Sequence, residues 1–226
     1  MPEFELNGIH LNVPRGVAGP KIFDRIRDGR YEANEARCAM ERVAPGDRVL
    51  EIGSGIGYVT ALCAKRAGPA RVTGIEANPD LLPIIEENLA RNGLSGVNLL
   101  HGAVAGGVDG DETVSFNIGP IFWGSSLLET PANVKRQVEV PLLDIHKLLD
   151  DLRPNVVIMD VEGAEASMFS EPWPDYVHTV CLELHPKLYL EGTIRGIFDR
   201  LREIDLGYDP HVSMRDVICL TKDRGF

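Results

Sequence analysis

Residues 49–60 read VLEIGSGIGYVT. An apolar run carries a single acid, Glu51, and is followed by glycines at 53, 55 and 57 and then by the start of a helix-like segment. Glycines directly after an apolar strand mark a turn where backbone must come close to something that a Cβ would strike. The dinucleotide fingerprint G-x-G-x-x-G would place its third glycine at 58, where Tyr58 stands instead.

Working outward, strand-like runs alternate with helical patterns, which predicts parallel strands joined by crossover helices. The strands are expected at 48–53, 71–76, 97–102, 156–160, 180–184 and 217–221, with an extended piece near 208–213 before the last. A helix over 58–66 closes at Gly68-Pro69. A second helix shows an apolar face of Leu81, Leu82, Ile85 and Leu89, with Asp80 as its expected cap, Pro83 in its first turn and Asn92-Gly93 as its stop. The fold class is therefore α/β: a seven-stranded, doubly wound sheet, mostly parallel, its last two strands antiparallel.

Two parts break the rhythm. Val114, Phe116 and Ile118, then Val138 and Val140, alternate like a β-hairpin insert within 106–141, which could roof a pocket. Residues 1–45 form a leader with an amphipathic helix at about 34–43. The expected division is this N-terminal leader, 1–45, and one ligand-binding domain, 46–226.

Hydrophobic residues make up 44% and charged residues 25% of the 226, an ordinary globular balance. Net charge is -11, so a phosphate backbone would be repelled, and neither Lys135-Arg136 nor Arg25 to Arg30 forms a basic stripe. The expectation is no nucleic-acid partner. No run approaches the roughly 18 apolar residues of a membrane span, so no membrane partner is expected. Four cysteines without C-x-x-C spacing and no basic-then-apolar start point to a reducing, cytoplasmic setting. A homo-oligomer is left open.

In doubly wound sheets, ligands bind beyond the carboxyl ends of the strands. G-x-G-x-G after an acid suits S-adenosylmethionine, which has no phosphate but carries a sulfonium, an ammonium and a carboxylate. Glu51 can face the cationic end, with Gly53, Ser54, Gly55 and Gly57 forming the cradle. Glu76, ending the second strand about 20 residues on, stands where an acid accepts from ribose hydroxyls, with Ala77 and Asn78 following it. Ala103 and Val104, after His101-Gly102, would border the adenine or simply end a strand.

The stretch NVVIMDVEGAEASMF (155–169) crowds Asp160, Glu162 and Glu165 at a strand-to-helix junction. Three carboxylates together need a cation or shared proton among them. With VLEIGSGIGYVT, GIEANPD (74–80), WGSSL (123–127), IMDVEGAEASMF (158–169) and VCLELHP (180–186), the chain resembles the FkbM-type S-adenosylmethionine-dependent methyltransferases over about 31–186. The resemblance implies a Rossmann-like, class I methyltransferase fold and O-methylation. It places Asp160 to Glu165 at the active-site edge and Gly53 to Gly57 and Glu76 on the cofactor. One departure is Glu51 and Ser54-Gly55 where family members often read Asp-x-Gly-Ala-Asn.

A hydroxyl acceptor must lose its proton, so a base or a metal is wanted near it. Asp160 is the first candidate, with Glu162, Glu183 and His185 beside it. A divalent metal held with Glu183 or His185 is open but not favoured. No Asn-Pro-Pro-aromatic tetrad follows the fourth strand, which argues against nitrogen methylation of DNA. The expected substrate is a small molecule, a sugar or natural product. The competing readings are a cofactor-binding but non-catalytic relative and an NAD-dependent oxidoreductase. Tyr31-Glu32 and Glu35 could close over the methionine end, although Glu35 reads more simply as a solvated helix charge. Phe122-Trp123 could stack on a substrate ring but reads more simply as local packing in the hairpin, and Ser125 and Ser126 are candidate polar contacts to the substrate.

Overall fold

The structure, a computed structural model, describes residues 3–15, 17–109, 112–119, 136–161 and 163–222. It opens with a hairpin, β1 (Glu3–Leu6) and β2 (Ile9–Asn12), then α1 (Pro20–Arg27) and α2 (Ala33–Arg42). The alternating part begins with β3 (Val49–Ile52), α3 (Tyr58–Ala67), β4 (Val72–Glu76), α4 (Leu82–Arg91) and β5 (Asn98–His101). Three strands follow: β6 (Ala103–Ala105), β7 (Thr113–Ile118) and β8 (Arg136–Asp144). The chain returns to the main sheet through α5 (Ile145–Leu152), β9 (Val156–Met159), α6 (Glu165–Met168) and β10 (Thr179–Glu183). It ends with α7 (Glu191–Glu203), β11 (Gly207–Tyr208) and β12 (Val217–Thr221).

The main sheet has seven strands in the order β11-β12-β10-β9-β3-β4-β5. β5, β4, β3, β9 and β10 are parallel, and β12 runs antiparallel to both its neighbours. Only β12 is therefore reversed, because β11, paired antiparallel with it, regains the direction of the rest. β3 and β9 are buried along their whole length, as central strands covered on both faces must be. One apolar layer joins the hairpin, α1, α2, α3 and α4, and the other is built from α5, α6, α7 and the opposite face of the strands. From β3 the chain winds outward to β5 and then returns to β9 on the other side, so the ends of β3 and β9 form the switch point.

The insert forms the expected hairpin: β7 and β8 pair antiparallel, and β6 adds to β8 in parallel. Phe122, Trp123, Ser125 and Ser126 lie outside the described residues. Two local expectations need correction. Asp80 does not cap α4: its carboxylate pairs with Arg136 at 2.8 and 2.9 Å, and the turn is held by Asp80 N donating to Asn78 Oδ1 at 3.1 Å. The leader is more regular than expected, because Asn12 N donates to Asn88 Oδ1 at 2.7 Å and His10 N to Asn92 Oδ1 at 3.0 Å, docking the hairpin on α4. No helix among the described residues is long and apolar enough to cross a membrane.

Candidate active site

The glycine turn is sewn into the sheet by backbone. Gly53 N and Ser54 N donate to Ile75 O at 2.9 and 3.0 Å, and Asp160 N donates to Ile52 O at 3.0 Å. Gly53 has φ +89, and a Cβ there would overlap the Asp160 carbonyl. Its small size lets the ends of β3 and β9 meet. Gly57, at φ +79, starts α3, and a Cβ there would lie 2.9 Å from Ile85 Cγ2. It sets the close packing of α3 on α4 rather than facing a ligand. Gly55 N donates to Glu76 Oε2 at 2.8 Å.

The acids around this turn are buried. Glu51 accepts from Ser54 Oγ at 3.0 Å and from the Thr60 hydroxyl, and burial pushes its carboxyl up to about 7. Glu76 accepts from Gly55 N and, through Oε1, from Asn78 N at 2.8 Å; burial raises it to about 7 as well. Asn78 is buried, and Ala77 O lies 3.2 Å from His101 Nε2. Glu35 corrects the expectation of a solvated charge. It is only 6% exposed, and burial moves it to about 7. Glu32, in the left-handed region at φ +42, is also raised by burial. Glu32, Glu35, Glu51, Gly53, Ile158 and Asp160 all line one small cavity. Helix periodicity placed Glu35 on a helix but could not say which neighbour would cover it.

A second group stands at the ends of β9 and β10. His185 Nδ1 is 2.7 Å from Glu165 Oε1, and His185 Nε2 is 3.7 Å from Asp160 Oδ1. Glu165 is 0% exposed. One ligand atom each from Asp160, Glu183 and His185 lie within 4.8 Å of one another. The sequence brought Asp160, Glu183 and His185 to neighbouring strand ends but gave no sign that Glu165 holds the imidazole. The contact spans 20 residues and depends on α6 folding back. Glu162 lies outside the described residues. Ala103 and Val104 are buried in apolar clusters, Val104 with Leu50, Ile52 and Ile75, and Ala103 with Phe116, Ile118 and Val140.

Comparison with known proteins gives a family match over part of the chain. The model of the family described as protein-L-isoaspartate(D-aspartate) O-methyltransferase matches residues 35–139. A protein-L-isoaspartate O-methyltransferase from Methanoculleus marisnigri is 48% identical over 100 residues, 41% of this chain and 44% of that protein. The 23S rRNA (uracil(1939)-C(5))-methyltransferase RlmD of Klebsiella pneumoniae is 37% identical over 102 residues, 44% of this chain and 22% of that protein. The hexuronic acid methyltransferase AglP of Haloferax volcanii is 28% identical over 144 residues, 62% of this chain and 56% of that protein. The chain thus spans less than half the length of the first two relatives. Among solved structures, precorrin-6y C5,15-methyltransferase from Geobacter metallireducens covers 86% of this chain and 89% of its own at TM-score 0.48 and 15% identity.

These matches correct two expectations. The family resemblance is not to the FkbM type: the matching family model is the isoaspartate one, and its residues carry the glycine turn but stop before Asp160. The expectation of a small-molecule acceptor and no nucleic acid also falls, because the matched relatives are named for protein isoaspartate and for ribosomal RNA. A chain-wide net charge limits non-specific binding to phosphates; it says little about an acceptor held by local geometry.

Proposed function

We propose that this chain is an S-adenosylmethionine-dependent methyltransferase that delivers the methyl group to an oxygen of an acceptor borne on a protein or glycan. The observation that carries the reading is the gathering of Glu32, Glu35 and Glu51 around one cavity at the glycine turn, with Asp160 lining it from the end of β9. Buried acids at this density call for a cationic occupant, and the sulfonium and ammonium of the cofactor supply one. Glu76 would take the ribose: its oxygens accept the amides of Gly55 and Asn78, the Ala77 amide bonds the same carboxylate, and lone-pair capacity remains for a hydroxyl. α3 begins after Gly57, which has no side chain to cap it; the Thr60 amide bonds Glu51, and the amides before it would face the methionine carboxylate.

The transfer is an in-line displacement, in which an oxygen lone pair forms the new bond to the methyl carbon as the carbon–sulfur bond breaks and the sulfonium becomes a neutral thioether. Orientation alone can supply about 7–11 kcal/mol of the barrier. The acceptor proton would pass to the group of Asp160, Glu183 and His185 at the adjoining strand ends. An oxygen acceptor is supported by the isoaspartate O-methyltransferase match and by the hexuronic acid relative, both of whose substrates carry reactive oxygens. The buried, free thiols of Cys38, Cys63, Cys181 and Cys219 fit a reducing, cytoplasmic setting.

A thermal-shift comparison tests the cofactor: S-adenosylhomocysteine should raise the melting temperature and NAD should not. Radiolabelled methyl transfer to an isoaspartyl peptide and to a hexuronate-bearing glycan then tests the acceptor. A base-labile product marks a carboxyl oxygen, and a base-stable one marks a hydroxyl. A melting temperature unmoved by S-adenosylhomocysteine would sink the reading.

A further inference from the structure

The group at the ends of β9 and β10 contains more than a base. His185 is bounded by carboxylates on both ring nitrogens, with Glu165 Oε1 at 2.7 Å from Nδ1 and Asp160 Oδ1 at 3.7 Å from Nε2. Nδ1–H donating to Glu165 leaves the Nε2 lone pair facing Asp160 and Glu183, an arrangement of three electron-rich atoms within 4.8 Å of one another. Two carboxylate oxygens and one imidazole nitrogen at this spacing make a donor set that suits a divalent cation. Metal-bound imidazoles characteristically have the other ring nitrogen held by a carboxylate, and Glu165 is that carboxylate here. Glu165 is itself wholly buried, and its Oε2 has no hydrogen-bond partner among the described residues.

The dimensions agree. Bonds of about 2.1 Å set ligand atoms about 3 Å apart when adjacent and about 4.2 Å apart when opposite in an octahedral shell. From the observed 3.7 Å and the 4.8 Å limit, pairs of atoms close by about 0.6–1.8 Å to reach those separations, which side-chain rotation supplies. Asp160 and Glu183 come from loop and strand ends, and the Asp160 side chain is 36% exposed, which leaves room for water and an acceptor oxygen on the open side.

We infer that Asp160, Glu183 and His185 form a binding site for a divalent cation of the manganese or magnesium class, with Glu165 as the residue that orients the imidazole. The inference rests on the methyltransferase reading for its purpose. A cation there would sit across the switch point from the glycine turn and bind the acceptor oxygen, easing loss of its proton. It would also let an anionic acceptor enter a pocket lined by acids.

The test uses the full-length protein, stripped with chelator and titrated with Mn2+ while free ion is followed by electron paramagnetic resonance. One Mn2+ per chain is expected, with an imidazole nitrogen coupling in the pulsed spectrum. Asp160→Asn and His185→Ala should weaken binding more than about tenfold, and Glu165→Gln about tenfold, without loss of the circular dichroism of the fold. If His185→Ala fails to fold, the nitrogen coupling of the unaltered protein decides the matter. No binding at millimolar Mn2+, or binding without nitrogen coupling and undiminished in Asp160→Asn, overturns the site. The melting shift with S-adenosylhomocysteine is recorded on the same samples. A lost Mn2+ signal with an intact shift removes only the cation site; a missing shift with nitrogen-coupled Mn2+ removes only the methyltransferase reading.

Discussion

Gly53 and Asp160, 107 positions apart in the chain, are packed backbone to backbone: the face of Gly53 that would carry a Cβ is filled by the Asp160 carbonyl. This contact joins the turn after β3 to the end of β9 and so fixes the separation of the glycine turn from Asp160. Gly53→Ala should therefore cost about 2–4 kcal/mol, combining overpacking with a left-handed backbone that alanine resists. Urea denaturation measures it, and a loss below about 0.5 kcal/mol would show that the strand ends are free to part.

Glu51 and Glu76 set a pH dependence. Both are raised to about 7 by burial, from an ordinary value of 4.5. Between those values the folded chain binds protons that the unfolded chain has released, so stability falls as pH rises from 4.5 through 7. The ligand-free protein should melt at a higher temperature at pH 5.5 than at pH 8. A cationic cofactor stabilises the ionised acids, so its affinity should rise over the same interval. Calorimetric melts with and without S-adenosylmethionine check both slopes.

Glu76→Gln keeps an acceptor for one amide but removes the charge. Cofactor affinity should fall about ten- to a hundredfold, in line with the loss of a charge-assisted hydrogen bond worth about 1.5–3 kcal/mol. Turnover at saturating cofactor should change little. Equilibrium dialysis and initial rates separate the two effects.

Asp160→Ala should leave cofactor affinity within a few-fold while lowering turnover by about two orders of magnitude or more, as removal of a proton-transfer or acceptor-binding group does. Isothermal titration paired with a methyl-transfer assay reads both quantities. Turnover left intact would remove Asp160 from the acceptor side.

Asn88 links three parts of the molecule: its Oδ1 accepts from Asn12 N at 2.7 Å and its Nδ2 donates to Ile56 O at 2.9 Å. Asn88→Ala would leave a buried N–H and a buried carbonyl unpaired, at a cost of about 2–4 kcal/mol. Because Ile56 lies inside the glycine turn, cofactor affinity should drop as well. Melting temperature and dialysis on the same variant test the coupling.

Local pattern determined much of this molecule. Short runs rich in apolar residues at 49–52, 72–76 and 156–159 specified buried parallel strands, and the glycines at 53, 55 and 57 marked the tight turn that leaves the first of them. Such features are written in neighbouring residues, since side-chain period and glycine conformation act over a few positions. Only the tertiary structure decided the rest. It buried Glu35 at a cavity shared with Glu51 and Asp160, docked the leader through Asn88, turned Gly57 toward Ile85 instead of the cavity, and set Glu165 behind His185. These are contacts between segments far apart in the chain, and burial of a charge depends on what packs over it, which no local pattern records.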